Sequence, residues 1–355
     1  MQLFHEHEQV VVCHEPEAGL RAIIAVHDTT LGPALGGIRM WRYDSDEAAL
    51  TDVLRLSRGM TYKNAVAGLD LGGGKTVVLG DPRTDKTPLL FRALGRFVDS
   101  LGGRYVTAED VGTSTSDMDF VHMETDYVAG LAGKSGDPSP VTAHGVFRSI
   151  QASALYRWGS DDLEGKTVSI QGCGNVGRYL AKELLRAGAN LVVSDIDADR
   201  VGRLVAETDS KNVKAVEGDE IFSAQADIFA PCALGGIIND TTIPKLRVEI
   251  VAGAANNQLL EPRHGDMLEE RDILYAPDYV ANAGGVINVY SELANWDSKR
   301  SFRKADEIYD TVLGVYEIAK VDGIPTYQAA DRLAERRLKA VGSLMRTWPQ
   351  WPRKA

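Results

Sequence analysis

One six-residue stretch constrains the fold of this chain more than any other. Gly172–Cys173–Gly174–Asn175–Val176–Gly177 fits the pattern G-x-G-x-x-G, and its surroundings make the pattern meaningful. A short apolar run, Thr167–Gln171, precedes it. A helical pattern over residues 176–187 follows, and a second apolar run, Asn190–Ser194, ends at Asp195. A strand, a glycine turn, a helix and a second strand closed by an acid about 20 residues on are the parts of a dinucleotide-binding unit. Gly172 permits the turn, Gly174 lets backbone N–H groups reach a pyrophosphate, and Gly177 lets the helix sit close to the sheet. The backbone of Cys173, Asn175 and Val176 completes the cradle, and the positive end of the helix dipole meets the phosphate charge. Asp195 would bond both ribose hydroxyls and repel a 2′-phosphate, so the expected cofactor is NAD rather than NADP.

The rest of the chain extends that unit. Runs at 213–216, 227–231, 249–252 and 273–276 also read as short buried strands, mostly separated by helical patterns, which predicts a parallel sheet covered on both faces. Cys232–Ala233 and Ala254–Ala255–Asn256 follow strand ends, where ligands lie in open α/β sheets. Residues 133–140 turn to Gly, Ser, Asp and Pro and read as a hinge. Ahead of it, Val10–Val12 and residues 22–26 read as strands. Asp44 and Glu47 suggest a capping box for a helix running toward Met60, and a second helix is expected over residues 88–101, stopped by Gly102 and Gly103. The predicted class is α/β in two domains, an N-terminal α/β substrate domain (1–135) and a Rossmann-type dinucleotide-binding domain (136–325). A C-terminal helical segment (326–355) is expected to pack back on the first domain. Trp348 and Trp351 among the terminal prolines read equally as a subunit contact or a loosely packed end.

Composition excludes several classes of function. With 355 residues and 44% apolar content the chain can bury two cores. Its net charge is −11, from 39 Lys and Arg against 50 Asp and Glu, with no basic block to track nucleic acid. The opening residues lack a basic and apolar leader, and no apolar run approaches a membrane span, so a cytoplasmic protein is expected. Cys13, Cys173 and Cys232 are too few and too scattered for a disulfide framework or a zinc site. His5, His7 and His14 have no Cys or acidic partners at ligand spacing and are expected to be solvated; no metal is predicted.

A second glycine-rich stretch carries the chemistry. Gly72, Gly73 and Gly74 precede Lys75, and Lys63 lies a short way upstream. Read as a loop, the glycines let a substrate come close, and a lysine partly desolvated beside another cation has a lowered pKa. Such a lysine serves as a general base near neutral pH, while its cationic neighbour holds a carboxylate. A tight turn with a solvated lysine would look the same in sequence.

Together with the acidic run 108–112 (AEDVG) and Asn256–Asn257, these residues resemble the amino-acid dehydrogenase family that includes glutamate, leucine, phenylalanine and valine dehydrogenases. The resemblance covers nearly the whole chain. It is strongest to the leucine dehydrogenases, through residues 30–37 (TLGPALGG), 252–259 (AGAANNQL) and 275–280 (YAPDYV). It implies that Lys75 activates a water for attack on an imino carbon and that Asp110 exchanges a proton with the substrate amino group. It also implies that Lys63 binds the α-carboxylate, with Asn257 adding a hydrogen bond, and that Thr142 contacts the nicotinamide amide. Cys232, Ala233, Ala254 and Asn256 would line the cofactor, Cys232 as a small packing residue rather than a nucleophile. A homo-oligomer is implied, with dimer and octamer both open.

The same resemblance points to the substrate. Glutamate-specific relatives carry a lysine in the Gly–Pro–x–x–Gly–Gly loop, where this chain has Leu35 beside Gly36; a buried side-chain carboxylate with no cation would cost several kcal/mol. Leu35 and Gly36 with Ala108, Val286 and Val289 suit leucine, isoleucine or valine, although one methylene is worth only about 1–3 kcal/mol. One rival keeps the chemistry and prefers phenylalanine or valine; another is a non-catalytic NAD-binding sensor. Closure about the 133–140 hinge is expected to exclude water during hydride transfer.

Overall fold

The computed structural model describes residues 6–131, 133–134, 136–208 and 211–344. His5, Trp348 and Trp351 lie outside the described residues. The chain forms two compact units. One comprises Met1–Gly136, Glu292–Asn295 and Ala334–Ala355; the other comprises Asp137–Ser291 and Trp296–Leu333.

The first unit is built on a five-stranded sheet. Its strands are β1 (Gln9–Glu15), β2 (Leu20–Asp28), β3 (Ala34–Trp41), β4 (Gly72–Leu79) and β5 (Tyr105–Glu109), in the order β1-β2-β4-β3-β5. β1 and β2 are antiparallel, β2 runs antiparallel to β4, and β3 pairs in parallel with β4 and β5. Helix α1 (Asp46–Val66) covers one face, where Ala49, Val53 and Leu54 meet Ile23, Ala25 and Val77. Helix α2 (Pro88–Asp99) covers the other with Leu90, Phe91, Leu94 and Val98, against Ile24, Ile38, Val78 and Tyr105. A short helix, α3 (Thr115–His122), opens with a capping box between Ser114 and Asp117.

Three sequence expectations need correction here. The N-cap of α1 is Ser45, whose hydroxyl accepts from the Ala48 N–H at 3.1 Å, one residue past Asp44. The helix also continues past Met60 to Val66, carrying Lys63 in its last turn. His7 is half-buried rather than solvated: its Nε2 lies 2.9 Å from the Ser57 hydroxyl and 3.1 Å from the Leu54 carbonyl, and its ring meets His27 edge-on. His14 is exposed.

The last helix, Thr326–Gly342, ends in the first unit. There Arg337 donates to the Ala65 carbonyl at 3.0 Å and pairs with Asp70, while Tyr62 donates to Glu335 at 3.1 Å. These contacts fasten the helix to the C-terminal end of α1.

The second unit begins with α4 (Ser139–Trp158) and contains a six-stranded parallel sheet. Its strands are β6 (Thr167–Gln171), β7 (Asn190–Ser194), β8 (Val213–Ala215), β9 (Ile228–Pro231), β10 (Ile250–Val251) and β11 (Leu274–Tyr275). Their order, β11-β10-β9-β6-β7-β8, reverses direction at β6, and helix α5 (Asn175–Arg186) connects β6 to β7. Consecutive strand residues are buried, as in Ile228–Pro231, because both faces are covered. The α/β class and the parallel sheet agree with the sequence reading. Among the described residues no helix is long and apolar enough to cross a membrane.

Candidate active site

Gly72, Gly73 and Gly74 are not a loop. They open β4, an interior strand of the first sheet. Side chains alternate across a strand, so successive glycines relieve opposite faces. A Cβ on Gly73 would run into the backbone N–H of Thr61 in α1, and one on Gly74 would lie 2.6 Å from the Tyr105 ring on the other face. The glycines therefore let α1 and Tyr105 close onto the sheet. Asn64 fixes that approach by donating from Nδ2 to the Gly72 carbonyl at 2.6 Å.

Lys75 returns to the α1 face and is 5% exposed. Its Nζ donates to Asp110 Oδ2 at 2.6 Å. Burial is the largest influence on this lysine and lowers its pKa; the ion pair with Asp110 opposes that and Arg39 reinforces it. Burial acts to raise the Asp110 pKa, but Lys75 and then Arg39 overcome it, and the carboxyl stays below its ordinary value. The pair is thus a buried ammonium whose pKa is lowered by desolvation beside a carboxylate whose pKa is lowered by its two cations.

The segment bearing Asp110 is pinned to β3. The Met40 N–H donates to the Val111 carbonyl at 3.0 Å, and the Thr113 hydroxyl donates to the Ile38 carbonyl at 2.8 Å while accepting from the Asp110 N–H at 3.0 Å. Gly112 has φ +82, and a Cβ there would strike the Met40 carbonyl. Only glycine adopts this turn without strain.

Leu35 and Ala108 share the Lys75 face. Leu35 pairs with Gly73 on one side and Val106 on the other, Ala108 pairs with Gly37, and both are buried. Gly36 alternates to the opposite face, and its carbonyl accepts from the Tyr105 hydroxyl at 2.5 Å. Lys63 is half-buried on α1.

Sequence reasoning missed three neighbours. Arg39 on β3 donates from Nε to the same Oδ2 of Asp110 at 3.2 Å and pairs with Asp52 on α1 at 3.1 Å. Tyr43 then donates to Asp52 at 2.8 Å. The available signal was an arginine in mid-strand between the apolar Ile38 and Met40, both fully buried.

The second unit carries the remaining expected residues. Gly172 has φ +104, and a Cβ on it would press on Cys232 and Ala233 at 2.9 Å; one on Gly177 would strike the Gly172 carbonyl. A Cβ on Gly174 would meet nothing within 4 Å. Two glycines of the motif thus build the turn, and the third leaves space at the N-terminus of α5, before Asn175 and Val176. Asp195 follows β7; its Oδ2 accepts from the Cys173 N–H at 2.7 Å and its Oδ1 from the Asp197 N–H at 2.9 Å. Each oxygen keeps a lone pair for a ribose hydroxyl. Open space at a helix N-terminus and an acid at the next strand end fit a dinucleotide.

Cys232 joins the turn by donating its N–H to the Gln171 carbonyl at 2.7 Å, and burial pushes its thiol up to about 12, which suits packing and not nucleophilic attack. The Ala254 carbonyl and the Asn256 side chain both accept from Asn282 Nδ2, at 3.0 and 2.8 Å. Asn257 is exposed with φ +51. Thr142 bonds the Pro138 carbonyl at 2.8 Å and packs on Gly285. Val286 and Val289 lie three residues apart on the helix Gly284–Leu293 and so share a face.

Comparison with known proteins agrees with both halves. Residues 7–127 match the model of the Glu/Leu/Phe/Val dehydrogenase dimerisation domain, and residues 133–201 and 193–340 match that of the Glutamate/Leucine/Phenylalanine/Valine dehydrogenase family. A leucine dehydrogenase of Geobacillus stearothermophilus is 57% identical over 349 residues, covering 96% of this chain and 94% of that protein. A phenylalanine dehydrogenase of Caldalkalibacillus thermarum is 49% identical over 339 residues, covering 94% and 92%. The crystal structure of an L-tryptophan dehydrogenase from Nostoc punctiforme superimposes with a TM-score of 0.86 at 48% identity, covering 95% of this chain and 96% of that one.

Proposed function

Because this chain belongs to the glutamate/leucine/phenylalanine/valine dehydrogenase family, we propose that it carries out NAD-dependent oxidative deamination of a branched-chain L-amino acid. The reaction converts the amino acid, NAD and water to the 2-oxo acid, ammonium, NADH and a proton. The buried Lys75–Asp110 pair, 2.6 Å apart, carries the reading. It sets a carboxylate whose pKa is lowered beside an amine whose pKa burial lowers, the two groups this chemistry needs.

Asp110 takes the proton of the substrate ammonium, since the α-carbon gives up hydride only when its nitrogen lone pair is free. NAD, when bound, accepts that hydride. Lys75 then acts as general base on a water that attacks the imino carbon, and its ammonium stabilises the charge that develops there. Asp110 returns a proton to nitrogen, and as the carbon–nitrogen bond breaks and ammonia leaves, the carbinolamine hydroxyl gives its proton to the carboxylate that Asp110 has become. Lys63 holds the substrate α-carboxylate and Asn257 bonds it. Leu35, Ala108, Val286 and Val289 meet the aliphatic side chain. In the second unit the residue 172–177 turn carries the pyrophosphate, Asp195 the ribose and Thr142 the nicotinamide amide, with Cys232, Ala233, Ala254 and Asn256 lining the cofactor. The protein works as a homo-oligomer.

Leucine is favoured over phenylalanine by the higher identity to the leucine-named relative, 57% against 49%. Turnover of leucine, isoleucine, valine and phenylalanine, followed by NADH absorbance, tests the choice: phenylalanine as best substrate overturns it, and NAD binding with no turnover of any amino acid leaves a sensor. Lys75→Ala should lower kcat by about a thousandfold or more while NAD still binds. Substantial residual turnover would remove Lys75 from its role.

A further inference from the structure

Lys75 has conflicting demands on it. As a base it must lose a proton, yet an ionised carboxylate 2.6 Å away stabilises the ammonium. Both side-chain bonds to Asp110 go to Oδ2, one from Lys75 and one from Arg39 at 3.2 Å. Arg39 is itself held from the other side by Asp52 at 3.1 Å, and Asp52 is held by Tyr43 at 2.8 Å and Arg55 at 3.0 Å. The side chains of Arg39 and Asp52 are only 21% and 16% exposed, so water screens these charges poorly. The charged and titratable groups on the elements around Lys75 include Arg21, His27 and Asp28 on β2, Arg39 on β3, Asp52, Arg55, Arg58, Tyr62 and Lys63 on α1, and Tyr105, Glu109 and Asp110 on and after β5; of these, Asp110, Arg39 and Asp52 act most on Lys75. Of the two cations bonded to Asp110, Arg39 never gives up its proton under working conditions.

We propose that Arg39 is a positioning residue of the reaction: by sharing Asp110 Oδ2 with Lys75 it fixes the carboxylate and weakens its hold on the ammonium, so that the base can be freed. Asp52 and Tyr43 keep the guanidinium on that oxygen. The inference rests on the assignment of Lys75 as base. Burial and Arg39 both act to lower the Lys75 pKa, in keeping with the geometry, whereas Asp52 acts to raise it.

The test is the pH profile of kcat/KM for leucine oxidation in Arg39→Gln, Arg39→Lys and Arg39→Met, each checked for an intact melting transition. In Arg39→Gln the acid limb should move up by about one pH unit, with kcat/KM near neutral pH down about tenfold. In Arg39→Lys, which keeps the charge, the limb should stay near its wild-type position. An acid limb in Arg39→Gln that is unmoved or shifted down overturns the proposal. Should Arg39→Gln not fold, Arg39→Met decides by the same reading: an upward shift supports the proposal, and no shift or a downward one overturns it. Lys75→Ala keeps the two claims apart. If it is inactive while Arg39→Gln shows an unmoved limb, only the role of Arg39 fails; if it stays active, the assignment of the base fails.

Discussion

The two glycine-rich stretches look alike in sequence and do opposite things. In Gly72–Gly73–Gly74 the missing side chains are filled by the protein itself, by α1 on one face and Tyr105 on the other. In Gly172–Cys173–Gly174–Asn175–Val176–Gly177, the outer two glycines are likewise packed, but Gly174 faces open space at a helix N-terminus. The first stretch uses glycine to bury a lysine, and the second uses it to keep room for a ligand. A run of glycines thus reports close approach without saying what approaches.

Substitution should separate the two cases. Gly73→Ala forces a methyl group into the backbone of α1 and should cost about 3 kcal/mol or more of stability, read as a lower urea midpoint. An unchanged midpoint would mean that α1 does not close on β4 as described.

A pH effect should follow in the same region. His27 bonds the Thr61 hydroxyl at 2.8 Å, beside the space that Gly73 provides, and burial first, then the neighbouring His7, push its imidazole down to about 4. The unfolded chain, with an ordinary value near 6.5, binds this proton where the folded chain does not, so stability falls as pH drops from about 6.5 toward 4. The loss from His27 should be about 2 kcal/mol between pH 7.5 and 5. His27→Gln should flatten that part of the stability curve, and equal slopes in the two proteins would count against a buried neutral imidazole.

Gly174→Ala is expected to have the smallest effect. Its melting temperature should stay within a degree or two of wild type, while NAD binds about tenfold more weakly because the methyl group occupies the space left for phosphate. A stability loss matching that of Gly73→Ala would erase the contrast.

Legibility in the sequence followed the same division. All six strands of the second unit could be read, most of them because burial on both faces writes continuous apolar runs, as at Asn190–Ser194 and Ile228–Pro231. In the first unit β1 and β2 were readable, but β3 and β4 were not, since Gly36, Gly37 and Gly72–Gly74 replace the apolar residues that announce a strand. Lys75 and Asp110 were legible as chemistry, yet their contact was not, for it reaches from β4 across β3 to the end of β5. Arg39, Asp52 and Tyr43 left no spacing signal at all. They meet because β3 lies between β4 and β5 with α1 across the face.

The way Asp110 is anchored has an evolutionary consequence. Its segment is fastened to the end of β3 by main-chain groups and by Thr113. Side chains at Leu35 and Ala108 take no part in that fastening. With Leu35 and Ala108 in the substrate pocket as proposed, substrate preference and proton chemistry are separately adjustable, and exchanges at these two positions should retune which amino acid is accepted while the segment bearing Asp110 stays in register.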